Sequence, residues 1–199
     1  MSGHGAQRSW TMDGEPTLAA TTRAAVTTAA AHADARAVLD RWRPATREID
    51  SVRQALLSYL DARPDACLRS CAPGHLTAST LVLDAAGEHA LLTLHPRIGA
   101  WIQLGGHIEP DDATLAGAAL REATEESGIE GLVLDPEPVH AEVHALTCSL
   151  GVPTRHLDVR FVARAPAGAV EAISEESLDL RWWPLAELPD DVAFGRVLG

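Results

Sequence analysis

The first third of the chain has its apolar positions at helical spacing. Residues 16–43 are rich in alanine, a strong helix former, and Pro44 ends this segment. Apolar residues then recur every third or fourth position between Thr46 and Leu60, which predicts a second helix. We expect the two helices to pack antiparallel and to serve packing or dimerisation rather than to bind substrate directly.

The later part of the chain changes to the shorter period of β-strands. β-Branched and apolar residues fill segments 75–84 and 89–95, and the Ala-Ala-Gly-Glu sequence at 85–88 predicts a turn that joins them in a hairpin. A second strand-rich zone runs from residue 132 to about residue 188. Between the two zones lies one strong helical segment, rich in glutamate. The chain thus divides into an N-terminal helical part and a mixed part that contains both strands and a helix.

Length and composition allow one substantial core. The chain has 199 residues, of which 46% are apolar, and these values favour a single domain with an appendage. We predict a loosely ordered start over residues 1–15, an N-terminal helical extension over residues 16–64, and one mixed domain over residues 65–199.

The net charge and the length of the apolar stretches argue against two classes of partner, nucleic acids and membranes. The formal net charge is −12 and every basic residue is an arginine, so no lysine-rich run offers the positive surface that nucleic acids need. No stretch approaches the length of about 18 apolar residues that a membrane span requires. Three cysteines suit a reducing compartment better than a disulfide framework, and the cytoplasm is the expected location. We therefore expect neither a nucleic acid nor a membrane as partner.

Two of the cysteines stand close to a histidine. Cys67, Cys71 and His75 could clip a metal ion, but Pro73 and Gly74 interrupt the spacing and no second cysteine pair accompanies them. We favour a loop with ordinary small thiols over a metal site.

The glutamate-rich helix concentrates like charges on one face. At about 100° per residue, Glu122, Glu125 and Glu126 fall within roughly a third of the helix circumference. Like charges four residues apart repel by about 0.3 kcal/mol, so a cation is expected beside them. Carboxylate oxygens suit a hard divalent ion such as Mg²⁺. From the three glutamates alone, a solvated acidic face remains the alternative.

Both ends of this helix carry capping signals. It is predicted over residues 114–126, with Asp111 and Asp112 capping its start. Gly128 is placed to end it in the left-handed conformation.

The segment REATEESGI, from Arg121 to Ile129, resembles the second half of the Nudix box, whose pattern is R-E-U-x-E-E-x-G-U with U apolar. The first half of that box, G-x5-E-x7, fits less closely. Gly106 is followed by five residues, then Asp112, then eight residues before the arginine. One extra residue and an aspartate in place of a glutamate account for the difference. The chain is thus similar to the Nudix hydrolases, and the role of Asp112 is left open.

The resemblance implies an α/β/α sandwich with a mixed sheet and a metal-dependent reaction. It implies that Glu122, Glu125 and Glu126 bind Mg²⁺ or Mn²⁺ together with the carbonyl of Gly106. Arg121 would orient a glutamate by a charge-assisted hydrogen bond. The expected reaction is hydrolysis of a diphosphate linkage in a nucleoside diphosphate derivative by attack of water on phosphorus. The repulsion within the helix is then retained because the metal relieves it.

The resemblance leaves open which carboxylate acts as the base. Family members use either the glutamate at the position of Glu122 or one from a distant loop. Glu175 and Glu176 precede a predicted strand where such a loop is expected, and of these two we favour Glu176. Two exposed loop acids without a role are an equally good explanation.

Polar residues alternate with apolar ones along two later strands: His140, Glu142 and His144 on one, and His156, Asp158 and Arg160 on the next. If these faces line the cleft, Arg160 is a candidate phosphate contact and the histidines could bind a base or a sugar. We favour a position in the cleft for the Arg160 side chain. For His140 and His144 we favour the solvent side of the sheet. Trp101 is a second substrate-binding candidate, whereas Trp182 is expected in the core.

Two other functions are compatible with the pattern. A Nudix-like domain that binds a nucleotide or a partner without turnover would be expected to lack box glutamates, and all are present. An isomerase on the same fold needs cysteine and glutamate bases, which Cys148 alone does not establish. The expected partner is a small nucleoside diphosphate derivative, with a homodimer as the possible assembly. The box does not distinguish among nucleoside triphosphates, ADP-ribose, dinucleotides and sugar nucleotides.

Overall fold

The computed structural model describes residues 18–96, 99–147, 151, 153–174 and 177–189, with side chains from residue 27 onward. Within these residues the chain forms three α-helices, eight strands and one short 3₁₀ helix.

The two predicted N-terminal helices are present. Helix α1 spans Leu18–Arg41 and helix α2 spans Arg47–Ala62. Thr46 caps α2, because its side chain accepts a hydrogen bond from the backbone nitrogen of Ile49. No helix in the described part of the chain combines the length and the apolar content needed to cross a membrane.

The strands form one mixed sheet. They are β1 (His75–Leu83), β2 (His89–Leu94), β3 (Trp101–Ile102), β4 (Leu104–His107), β5 (Val133–Leu134), β6 (His140–Thr147), β7 (Pro153–Arg164) and β8 (Asp179–Pro184). The central strand β1 pairs in parallel with β7 and antiparallel with β2 and β4. Strand β6 extends the sheet beyond β7, and β8 extends it beyond β2. The predicted β1–β2 hairpin is confirmed, with Val82 opposite Leu91.

The apolar faces of the helices pack against the apolar face of the sheet. Helix α3 (Leu115–Ser127) packs with α1 and α2 over the face of the sheet that carries Ala78, Val159 and Phe161. The opposite face carries Leu81 and Leu83, which pack near the 3₁₀ helix Leu185–Glu187. The α/β class, the mixed sheet and the N-terminal helical extension are therefore confirmed.

The extension and the mixed domain are joined through one core. Leu39 and Leu56 belong to the same buried cluster as Leu115 and Phe161, so this cluster crosses the boundary predicted at residue 64. The carboxylate of Asp34 on α1 also accepts a hydrogen bond from the backbone nitrogen of Leu115 at 2.8 Å. Helix α1 thus satisfies one of the free N–H groups at the start of the glutamate-rich helix α3.

Candidate active site and metal centre

Strand β4 brings two glycines close to the central strand and to helix α3. Gly105 has a φ of +152°, and a Cβ there would lie 2.5 Å from the Cα of Ser79, so a larger residue would displace the strand. A Cβ on Gly106 would lie 2.7 Å from Oε1 of Glu122. The missing side chain at Gly106 lets the loop backbone approach the Glu122 carboxylate.

Helix α3 is capped differently from the sequence prediction at its start. Thr114 is the N-cap, and its hydroxyl oxygen accepts a hydrogen bond from the backbone nitrogen of Gly117 at 3.0 Å. The prediction that Asp111 and Asp112 cap the helix is therefore wrong, because Thr114 directly precedes the first helical turn and Asp112 is held elsewhere. The predicted C-terminus is confirmed, with Gly128 in the left-handed conformation at a φ of +66°.

The three glutamates of the box differ in exposure. Glu126 is only 9% exposed, and its Oε2 accepts a hydrogen bond from the backbone nitrogen of Gly105 at 2.9 Å. The side chain of Glu122 is 13% exposed, whereas that of Glu125 is 60% exposed. Glu122 and Glu126 thus lie largely buried against the glycine loop, whereas the side chain of Glu125 is mostly exposed to solvent.

Arg121 holds the carboxylates of the site in place. Its Nε and Nη2 donate to the two oxygens of Asp112 at 3.1 and 2.8 Å. Its Nη1 donates to Glu122 at 3.1 Å and to Glu125 at 2.9 Å, while Nη2 also donates to the carbonyl of His107 at 2.9 Å. These contacts, led by the one to Asp112, raise the pKa of Arg121. Asp112 therefore anchors the arginine that organises the glutamates.

The negative charge of the site exceeds what Arg121 balances. Its guanidinium contacts the carboxylates of Asp112, Glu122 and Glu125, and Glu126 adds another beside the glycine loop. Negatively charged oxygen donors are what hard divalent cations prefer, and the Gly106 backbone lies beside them. The residues present therefore fit Mg²⁺ or Mn²⁺.

We expect Arg121→Lys to lower kcat by about tenfold to 100-fold. A lysine ammonium cannot reproduce the planar fork that grips both oxygens of Asp112, so the glutamates lose their orientation. Steady-state kinetics, with thermal unfolding to show that the fold persists, would measure the effect.

Arg164→Lys is the matched control, because Arg164 is exposed and contacts only backbone carbonyls of Asp84 and Ala85 among the hydrogen bonds described. Adding Asp112→Asn to Arg121→Lys should lower kcat little further, since both changes break the same pair. Equal losses from the Arg121 and Arg164 variants, or additive losses in the double variant, would contradict the positioning role.

A row of polar residues lies on the face of the sheet opposite the α-helices. Strand pairing places His140 beside Arg160, Glu142 beside Asp158, and His144 beside His156. All six side chains therefore share one face. The prediction that His140 and His144 lie on a different side from Arg160 is corrected by this register.

Arg160 lies at the centre of a buried network on this face. Its side chain has 0% exposure, and its Nη2 donates to Glu142 at 2.8 Å and lies 3.8 Å from Oδ2 of Asp158. Asp158 also accepts hydrogen bonds from Thr77 at 2.9 Å and from Ser79 at 2.6 Å. Burial raises the pKa of Asp158, and Arg160 and the two hydroxyls oppose this shift. A direct phosphate contact of Arg160 stays a prediction.

Three histidines from three strands meet on the same face. His75 lies beside His156 in the register, and the ring of His107 completes the group. Burial, followed by the neighbouring histidines, lowers the pKa of His156 to about 3. No local sequence pattern indicates this group, because only the pairing of β1 with β4 and β7 brings the rings together.

The two thiols near His75 do not join that group. Burial raises the pKa of Cys67 to about 12, and the Sγ of Cys71 lies 3.3 Å from the hydroxyl of Tyr59. Among the residues described, the group of donor atoms that all lie within 4.8 Å of one another contains His75, His107 and His156 and neither cysteine. The preference for ordinary thiols over a Cys–Cys–His clip stays a prediction.

A family model described as the NUDIX domain matches residues 73–197, more than half of the chain. This chain belongs to the Nudix family. Membership places it among pyrophosphohydrolases of the Nudix type that act on phosphorus-containing anhydrides, as the sequence predicts. No curated protein sequence matches the chain.

Several solved structures resemble the chain at the level of the fold. A NUDIX-family hydrolase from Clostridium perfringens is 23% identical, with a TM-score of 0.49, and the match covers 62% of this chain and 91% of that one. A MutT protein from Methanosarcina mazei is 24% identical, with a TM-score of 0.46 over 57% and 79% of the two chains. An Ap4A hydrolase from C. elegans is 23% identical, with a TM-score of 0.43 over 56% and 80%.

The remaining predicted residues of this Nudix domain differ in how far they can be placed. Cys148, Glu175 and Glu176 lie outside the described residues. Trp101 packs edge-on against Trp183, with 5.3 Å between ring centroids. Its role in substrate binding stays a prediction.

Trp182 is held on the side of the sheet that packs against α3. Its Nε1 donates to Glu171 at 2.8 Å, and its ring packs against the apolar cluster that contains Ala123 and Leu180. The side chain is partly buried there, in agreement with the prediction of a core residue.

Proposed function

We propose that this Nudix domain hydrolyses a diphosphate linkage in a nucleoside diphosphate derivative, using Mg²⁺ or Mn²⁺ and attack of water on phosphorus. The observation that carries the proposal is the junction of the glycine loop with helix α3. There the Gly106 backbone lies against the Glu122 carboxylate, and Glu126 accepts a hydrogen bond from Gly105. Glutamates gathered against a backbone without a side chain offer oxygen donors to a hard divalent cation, which supports the proposal.

Each side chain of the centre has a proposed role in binding metal, in orienting a ligand or in proton transfer. Glu122, Glu125, Glu126 and the carbonyl of Gly106 are the proposed metal ligands, and Arg121 keeps the carboxylates oriented. When bound, the divalent ion neutralises phosphate oxygens and lowers the pKa of water. Glu122 accepts the proton of the attacking water in this proposal, because it is the carboxylate closest to the glycine loop that remains partly accessible.

A second set of assignments stays proposed on sequence grounds. Glu176 is the alternative base, and Arg160 and Trp101 are substrate-binding candidates. A homodimer and a cytoplasmic location are likewise proposals, and the mass in solution tests the first of them.

Hydrolysis in ¹⁸O-labelled water should place the label on a phosphate product and leave the sugar or alcohol oxygen unlabelled. Carboxylates that hold a divalent cation place positive charge beside the phosphate oxygens. That positive charge would stabilise the negative charge developing there, which favours attack on phosphorus. Mass spectrometry of the products, over a panel of nucleoside triphosphates, ADP-ribose, dinucleotides and sugar nucleotides, measures the label and identifies the substrate class.

Activity in this experiment should depend on Mg²⁺ or Mn²⁺ and disappear when a chelator removes it. Label in the sugar, or full turnover in chelator, would overturn the proposed chemistry. Tight binding of a panel compound without any turnover would instead support the non-catalytic alternative.

A further inference from the structure

We propose that His75, His107 and His156 form a second metal site, for a borderline divalent transition metal of which Zn²⁺ is the model. This three-histidine site is separate from the box glutamates, and it does not rest on the proposed reaction. It lies on the polar face of the sheet, where β1, β4 and β7 run side by side.

The spacing of the three rings matches what one metal ion requires. The ring centroids are 5.1 Å apart for His75 and His107, 5.0 Å for His75 and His156, and 5.0 Å for His107 and His156. A tetrahedral ion bound to imidazole nitrogens at about 2 Å holds the ring centroids roughly 5 Å apart. One ligand nitrogen from each ring already lies within 4.8 Å of the others, so one ion can be shared by the three rings once they turn toward it.

Two of the ring nitrogens lack hydrogen-bond partners although they are buried. Within the described part of the chain, Nε2 of His75 and Nε2 of His156 have no partner, and His75 is only 1% exposed. An unsatisfied buried polar atom costs about 1–3 kcal/mol. A metal ion that accepts both lone pairs removes this penalty.

The other nitrogen of His75 is placed as in a metal ligand. Nδ1 of His75 lies 3.4 Å from the carbonyl oxygen of Cys71. With the proton on Nδ1, that nitrogen donates to the carbonyl and leaves the lone pair of Nε2 for the ion. Histidines that bind metals commonly donate their second nitrogen to a backbone carbonyl in this way.

The donor set selects a different ion from the one that suits helix α3. Imidazole nitrogens favour zinc, cobalt, nickel and copper, whereas Mg²⁺ prefers oxygen. Three protein ligands leave a fourth position of a tetrahedral ion for water or an oxygen of a bound ligand. His107 and His156 are half-buried, whereas His75 is buried.

Titration of the metal-stripped full chain with Zn²⁺ alone, in excess Mg²⁺ that occupies the glutamates, tests the site. Calorimetry should detect one Zn²⁺ site, and His156→Gln and His75→Gln should each weaken it by at least about tenfold. His89→Gln is the matched control. His89 is the first residue of β2, pairs with Asp84 and lies outside the three-histidine group. Glu126→Gln should leave the Zn²⁺ affinity unchanged. Unchanged Zn²⁺ affinity in both group variants, or an equal loss in the Glu126 variant, would overturn the proposal.

A measurement on the unaltered protein tests the three-histidine site even where a variant fails to fold. X-ray absorption at the zinc edge of the one-to-one complex should show three imidazole ligands. Coordination by oxygen alone would place the ion on the glutamates and refute the three-histidine site. The absorption result does not depend on turnover, so its failure is distinguishable from failure of the proposed hydrolysis.

Discussion

Glu126→Gln is expected to lower kcat by about 100-fold to 1000-fold and to weaken Mg²⁺ binding, while the protein stays folded. The amide keeps the shape of the side chain, and its oxygen can still accept the hydrogen bond from the Gly105 nitrogen. What it removes is one negative charge from the oxygen donors that face the loop. Steady-state kinetics and Mg²⁺ titration measure both effects, and circular dichroism verifies the fold.

Glu130→Gln serves as the control for this change. Glu130 is exposed just beyond the end of α3, so the substitution removes the same charge without touching the site. Glu125→Gln is also expected to abolish most turnover, since Glu125 is one of the proposed metal ligands. Normal Mg²⁺ affinity together with normal activity in both the Glu125 and Glu126 variants would refute the proposed metal centre.

Deletion of residues 1–62 is expected to abolish cooperative folding of the remaining chain. Leu39, Trp42, Leu56 and Leu60 are buried in the same apolar cluster as Phe161 of the sheet, and their removal would expose that face. Thermal unfolding followed by circular dichroism should show no sharp transition. If the truncated protein unfolds cooperatively and keeps its activity, the mixed domain folds without the N-terminal extension and the expectation is wrong.

A pair of point variants tests the same contact within the full chain. Leu56→Ala should lower the free energy of unfolding by about 2–5 kcal/mol, because it leaves a cavity in the shared core. Gln54→Ala, at an exposed position on the same helix, should change it by no more than about 0.5 kcal/mol. Denaturant titration compares the two. Equal effects would show that α2 adds no stability through its buried face.

Local patterns predicted the elements that depend on near neighbours in sequence. Helix α3, its end at Gly128 and the β1–β2 hairpin follow from spacing and turn residues within a few positions. The face shared by Glu122, Glu125 and Glu126 follows from helix geometry alone. The predicted start of α3 is wrong, because Asp112 pairs with Arg121, nine residues away, and Thr114 caps the helix instead.

Contacts between distant segments required the tertiary structure. Asp158 and Thr77 lie 81 residues apart, yet the parallel pairing of β7 with β1 brings them within hydrogen-bonding distance. The same pairing buries Arg160, which looks in the sequence like an alternating polar position of a solvent-facing or cleft-facing strand.

The sequence by itself thus determined the family, the acidic helix face and the glycine loop, because the residues of that centre lie within one loop and one helix. Only the tertiary structure decided that α1 and α2 share the core and that His75, His107 and His156 meet. Strand alternation tells which residues share a face, but the register between strands fixes which of them are neighbours. That register is set by pairings and packing summed over the whole sheet, and no short segment of the chain contains it.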